Sequence, residues 1–397
     1  MKMRPILWML FALLLICQAN PLQAQNQSQD RGQLSGDLQI NARFYDKDTI
    51  RGASGIPFYE YLKYGADSWL NLNYKVKGFD MGVRFDGFYN SAIFDPTVPL
   101  NGQGIGRWYI KKSIDKLTMT GGYFYDQYGS GMIFRAYENR PLGIDQAVLG
   151  INLKYDINDN WRAKAFTGTQ KNIFDTYGTI LRGANLEGYV PVNDDVSLSP
   201  GIAFVNRILN NELMLGSIVP EIRSYPVDLR FNPKYNVNLV SLYNTLNVKN
   251  VSWYTELVYK SEDVIRNNEG LLINPDSGII FYNTLTYSRP KFGIVVQGRY
   301  MKNFDFRSSP LATFNRGLVN YVPSLTLQNS YRLVARYNAV AQFLGEFGTQ
   351  AELTYTIKRG LKILGNFSHI RSLDGDKLFQ EIQLQTSIKP KGKDWKS

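Results

Sequence analysis

The 397-residue chain contains one cysteine, Cys17, and one histidine, His369. Cys17 lies in the first, leader-like stretch, so once that stretch is removed no disulfide and no thiol chemistry remain. One histidine and no mature cysteine exclude a zinc site of the usual ligand spacing. No calcium-loop or phosphate-loop pattern occurs, and GQGIGRW at 102–108 lacks the strand-to-helix setting that gives a glycine-rich loop its meaning. No cofactor is expected. Past residue 24 there is no run of about 18 apolar residues, so no helix long enough to span a bilayer. With 44% hydrophobic residues and a mean hydropathy of −0.27, the chain cannot be a helical membrane protein, although a barrel with half-apolar strands stays open. Runs of like charge are missing too. The net charge of +11 is spread singly, which argues against nucleic acid as a partner. His369 sits in NFSHIRS beside Ser368. Adjacent strand residues face opposite ways, so no Ser-His pair is set up and no catalytic residue is expected.

What is present begins with MKMRPILWMLFALLLICQANPLQAQ. Lys2 and Arg4 precede a short apolar run at 6–16, and Leu22-Gln23-Ala24 precedes Gln25, the pattern of a signal peptide over 1–24. Ile16 is too bulky before Cys17 for a lipoprotein site. A short periplasmic segment, 25–34, leaves no room for a folded plug before the first strand.

From there on the chain alternates. In SWLNLNYKVKGFDMGVRFDGFYN, Leu70, Leu72, Tyr74 and Val76 alternate with Asn71, Asn73, Lys75 and Lys77. After Gly78, Met81, Val83 and Phe85 alternate with Gly82, Arg84 and Asp86. Period two makes this a hairpin with one apolar and one polar face. The pattern recurs at 37–44, 149–155, 184–190, 349–355 and 381–388, in stretches of about ten residues, the length of a tilted membrane strand. Tight polar turns at Lys77-Gly78, Asp115-Lys116, Asn158-Asp159, Asn193-Asp194-Asp195, Lys249-Asn250, Arg289-Pro290-Lys291 and Lys358-Arg359-Gly360 alternate with long links. The links fall at 46–66, 91–105, 127–146, 171–179, 207–234, 262–277 and 370–378. Segment 303–345 holds either no membrane strand or two, because one would place the 358–360 turn on the long-loop side. Taking none gives sixteen strands; two, with one at 325–337, give eighteen. With no helices to cover the apolar faces, a transmembrane antiparallel up-and-down β-barrel over 35–397, with short periplasmic turns, is the expected fold. Aromatics at strand ends, such as Phe44-Tyr45, Phe88-Tyr89, Trp108-Tyr109 and Trp253-Tyr254, suggest interfacial girdles.

The candidate site is the loop in YFYDQYGSGMIFRAYENRPLGIDQAVLG, 123–150. Arg135 and Arg140 facing Glu138 and Asp145 would form a charged constriction if the loop folds inward. The same charges could instead pair among themselves and pin the loop. Strand parity adds Arg84, Asp86, Lys154, Arg162, Lys164 and Glu187 as lumen residues.

FYDQYGSGMIFRAYENRPLGIDQAVLG, NYVPSLTLQNSYRLVARY (320–337) and LGEFGTQAELTYTIKRGLKILGNFSH (344–369) make the chain resemble an uncharacterised outer-membrane barrel family of Bacteroidota, a domain of unknown function. The resemblance implies a porin-like barrel and no established substrate or catalytic residue. Such barrels usually end on a strand with a C-terminal aromatic. This chain ends KPKGKDWKS, which suggests a member truncated before its last strands. The expectation is therefore a non-enzymatic, porin-like barrel in the cell outer membrane. Its partners would be outer-membrane lipid, the barrel-insertion machinery and small solutes. The alternative is a non-conducting barrel that binds polysaccharide, a lipoprotein or a secretion complex.

Overall fold

The computed structural model describes residues 32–389, except 51, 53, 96, 97, 329–338 and 340. The expected signal peptide, 1–24, and the C-terminal residues beyond Lys389 lie outside the described residues, as does most of the 325–337 stretch. Sixteen long strands follow one another: β1 Gln33–Phe44, β2 Tyr64–Val76, β3 Phe79–Ser91, β4 Leu100–Ile114, β5 Leu117–Phe124, β6 Val148–Asp156, β7 Trp161–Asn172 and β8 Asp175–Gly188; then β9 Val196–Ile208, β10 Asn236–Val248, β11 Val251–Ser261, β12 Ser277–Arg289, β13 Phe292–Lys302, β14 Gly345–Lys358, β15 Leu361–Arg371 and β16 Lys377–Ile388. Each is antiparallel to the next, and a short strand, Val190–Asn193, folds back on β9 to make the seventeenth member of the sheet.

β13 pairs directly with β14, Lys302 opposite Gly345. Among the described residues of 303–344 there is no strand, only an isolated bridge between Arg307 and Leu318. Sixteen is one of the two counts that the turn-parity rule allowed, the one reached by taking no strand in 303–345. The short turns lie where the sequence put them, and Lys77 and Gly78, at φ 47° and 74°, form the left-handed pair that a tight hairpin requires. One long link fails: 171–179 is mostly strand, and only Ile173 and Phe174 separate β7 from β8. The absence of helices fails as well. Residues 211–223 form a short helical run, started by Asn210, whose side chain accepts from the Leu213 N–H.

The sheet curls around its own loops. Loop 125–147 reaches β1 through Arg140 and Gln39, β3 through Glu138 and Arg84, and β11 through Ser130 and Glu256. A single apolar cluster joins loop residues Tyr128, Met132, Phe134, Phe304, Phe306 and Leu325 to wall residues from Phe124 on β5 to Ile370 on β15. Only a sheet wrapped round on itself allows that. No ladder between β1 and β16 is present among the described residues; each has one partner.

The outer face carries the apolar half of each alternation. Leu38, Ile40, Leu72, Ile151, Phe204, Leu242, Leu285 and Leu353 are all exposed, and their neighbours one residue on point inward. The girdle expectation holds for half of its residues. Tyr89, Trp108 and Trp253 face out, whereas Phe88 is buried inside and Tyr109 and Tyr254 bond inner-face carboxylates. Neighbours on a strand cannot share a face, so an aromatic pair supplies one girdle member and one interior one.

At the long-loop end, the helical run packs Met214, Ile218, Ile222 and Tyr225 on Val264 and Leu272. Arg266 grips Glu221 with both terminal nitrogens, at 2.9 and 3.0 Å. These segments cap that end of the curled sheet.

Candidate functional site

Arg84 and Asp86 are two apart on β3 and so share its inner face. Their side chains form a paired fork, Nε to Oδ1 at 2.6 Å and Nη2 to Oδ2 at 2.8 Å. Arg84 also donates to Glu138 at 2.6 Å and to Asp145 at 2.7 Å. Those two carboxylates are opposed because Glu138–Asn139 pairs with Ile144–Asp145 across a 3-10 turn, Arg140–Leu142, closed by Gly143 at φ 64°. Two carboxylates set side by side need cations, and the wall provides them. Lys171 on β7 lies 2.5 Å from Asp145 and 3.7 Å from Asp86, and Arg140 lies 3.0 Å from Glu138. The cluster thus balances three cations against three carboxylates. Burial pushes the Asp145 carboxyl up, but Lys171 and Arg84 outweigh it and hold the group below the usual aspartate range. Burial, with Asp145 and Glu138 close by, pushes the Tyr125 hydroxyl well up, so it remains the donor to Asp145 at 2.8 Å.

Two clefts meet at this cluster. One, with about 100 Å³ of free space, lies toward the long loops and is walled by Trp69, Phe88, Phe94 and Tyr177, with Arg316 and Phe314 at its lining. The other, about 250 Å³, lies toward the short turns, among Asp37, Asn71, Asn73, Arg107 and Tyr109. Arg84 and Arg140 border both.

Of the sequence candidates, Arg84, Asp86, Glu138, Arg140 and Asp145 come together. Arg135 does not join them: its guanidinium lies between the rings of Tyr137 and Tyr321, 4.2 and 4.0 Å from their centres. The remaining inner-face charges pair nearer the short-turn end: Lys154 with Asp126 at 3.1 Å, Lys164 with Glu187 at 2.7 Å and Arg162 with Asp156 at 2.5 Å. His369 and Ser368 point to opposite faces, Ser368 buried inside and bonded to Asn366.

Lys171 and Arg107 were missed by sequence reasoning: strict alternation from the glycines of GQGIGRW turns Arg107 outward, and a bulge at the Arg84–Phe85 register brings it inward. GQGIGRW places Gly102, Gly104 and Gly106 on one face of β4. Phe174 lies over the first two, and the Asp86 carboxylate lies where a Cβ on Gly106 would be. A glycine-only lane on an inner face marks a wall against which other groups lie closely. Lys171 was hidden by the misplaced 171–179 loop.

The chain matches, over residues 3–395, the family described as "Family of unknown function (DUF6029)", and it belongs to that family. No curated protein matches it. Among solved structures it is similar to OccK8 (OprE) of Pseudomonas aeruginosa, at 12% identity and a TM-score of 0.48, covering 89% of this chain and 88% of that one. It is similar to the outer membrane protein OpdK of Pseudomonas aeruginosa, at 11% identity and 0.39, covering 90% and 98%. Pseudomonas putida OprB follows at 10% and 0.41, covering 89% and 92%. At these levels no residue role passes from them to this chain.

Proposed function

We propose that this DUF6029 member is an outer-membrane, porin-like barrel through which small solutes pass along the β1–β7 flank of its interior. The observation that carries the reading is the stacking of two clefts against the shared side chains Arg84 and Arg140. Around them the sheet turns an apolar face outward, the arrangement for which hydrocarbon is the natural solvent. In lipid an open sheet edge leaves backbone groups unpaired, so the seam between β1 and β16 is bridged in the membrane-inserted barrel. The short turns then lie in the periplasm and the capped end outside. The charges of the cluster hold loop 125–147 against the wall and at the same time form the narrowest, most polar part of the route.

Planar-bilayer recording of the purified full chain tests this. Discrete conductance steps whose ion preference changes in Arg140→Ala support it, and silence over the full voltage range overturns it. A non-conducting, surface-binding barrel is the competing reading. It draws on the dry packing of Phe304, Phe306 and Leu325 across the opposite flank.

A further inference from the structure

Arg107 on β4 faces the short-turn cleft and has no carboxylate partner among the described residues. Its Nε is buried and bonds nothing. Its guanidinium is held between two rings, Tyr109 at 4.7 Å and Tyr125 at 4.8 Å, which fix its plane without neutralising its charge. Directly across the ladder stands Arg84, another cation. Like charges opposed in this way repel, and Arg84 is already committed to three carboxylates. The one acid lining the cleft, Asp37, accepts instead from the Asn71 amide at 2.9 Å.

We propose that Arg107 is an oxyanion site. A small carboxylate or a phosphate seats on its guanidinium fork in the short-turn cleft, with Arg140 beside it. The preorganised plane and the buried unpaired donor of Arg107 select an acceptor with two oxygens. At about 250 Å³ the cleft has room for such a solute together with water, whose share is about 30 Å³ each. Chloride satisfies the charge but not the fork. On the passage reading above, on which this inference rests for its role in transport, Arg107 makes the route prefer small organic or phosphate anions.

The test uses the full chain in detergent micelles, titrated calorimetrically with acetate, inorganic phosphate and chloride. Acetate or phosphate binds with at least tenfold preference over chloride, and the stronger of the two names the source. R107Q loses about tenfold of that affinity, the equivalent of about 1.4 kcal/mol. R107K keeps the charge and loses the fork, and falls between. Wild-type protein supplies a second measurement: a dicarbonyl arginine reagent modifies the peptide containing Arg107, and acetate or phosphate protects it where chloride does not. Equal binding of all three anions, or protection that spares Arg107, overturns the inference. Bilayer conductance separates the two readings. A silent protein that still binds oxyanions at Arg107 loses the passage reading and keeps the site. A conducting protein indifferent to R107Q keeps passage and loses the site.

Discussion

Charges inside the sheet have two different fates. On the β9–β15 flank they are covered completely. Arg207 bonds Asp263 at 2.5 Å and the Arg307 carbonyl at 2.7 Å, and Lys260 bonds the same Asp263 at 3.0 Å, all with almost no exposure. Arg299 and Glu346 are sealed together under Pro323. Around them Val205, Val237, Leu239, Val258 and Ile280 pack on the returning loop. On the β2–β7 flank the same residue types border open space. The difference lies in what covers them: Phe304, Phe306 and Leu325 on one flank, glycines 102, 104 and 106 on the other. Charges on both flanks fasten loops; only those of the second flank also border a cleft, where on the proposed passage reading they would meet solutes.

The largest test of that contrast is Arg299→Met. It leaves Glu346 buried without its partner, and the expected loss is roughly 3–5 kcal/mol in thermal or denaturant unfolding, with ion preference unchanged. A change of selectivity without loss of stability would erase the distinction between flanks. Next comes Arg84→Gln, which leaves Asp86 only Lys171 at 3.7 Å and leaves Glu138 and Asp145 one cation each, Arg140 and Lys171. Anchoring of loop 125–147 weakens by roughly 1–3 kcal/mol, read as faster proteolysis in the loop, and ion preference moves toward cations. Gly106→Ala forces the Asp86 carboxylate aside and costs about 1–3 kcal/mol, with a narrowed conductance. Arg135→Ala removes two ring contacts worth roughly 1–2 kcal/mol together, and leaves ion preference where it was. If preference shifts as it does for Arg140→Ala, the constriction extends to Arg135 after all. The smallest effect is that of acid. Asp145 is held below its ordinary value, so its contribution is complete above the unfolded aspartate pKa of about 3.9 and is lost as pH falls through the lower, folded one. Loop 125–147 therefore stays protease-resistant from pH 7 down to about pH 4 and loosens below it. Release at pH 5–6 would mean that another group holds it.

Much of the wall was legible in the residues. Leu70 to Val76 against Asn71 to Lys75 assigns two faces without any neighbour being known, and the alternation of short turns with long links settles strand parity. The same logic excluded a single strand in 303–345 and left none or two. The failures share a cause. Loop 171–179 read as a link because Asn172, Asp175 and Gly178 are turn formers, yet β7 and β8 run through them, since pairing with each other satisfies more backbone than a loop would. Helix 211–223 was overlooked because its apolar residues are spent on Val264 and Leu272, remote in sequence. At the site, Arg84, Asp86, Glu138, Arg140 and Asp145 were each singled out, and pairing was raised as the alternative for the loop charges Arg135, Glu138, Arg140 and Asp145 alone, while their partners on the wall were not foreseen.

Sequence alone determined the two-faced strands and the end at which the loops gather, and narrowed their number to sixteen or eighteen, because a strand's period of two and a turn's backbone preferences are local properties. Tertiary structure alone decided that loop 125–147 and Phe304, Phe306 and Leu325 fold inward, that Arg135 goes to tyrosines while Arg140 goes to the wall, and that Arg107 has no carboxylate partner among the described residues. Those outcomes depend on which carboxylate comes within about 3 Å of which cation, and charge pairing between segments far apart in the chain leaves no periodic trace in either one.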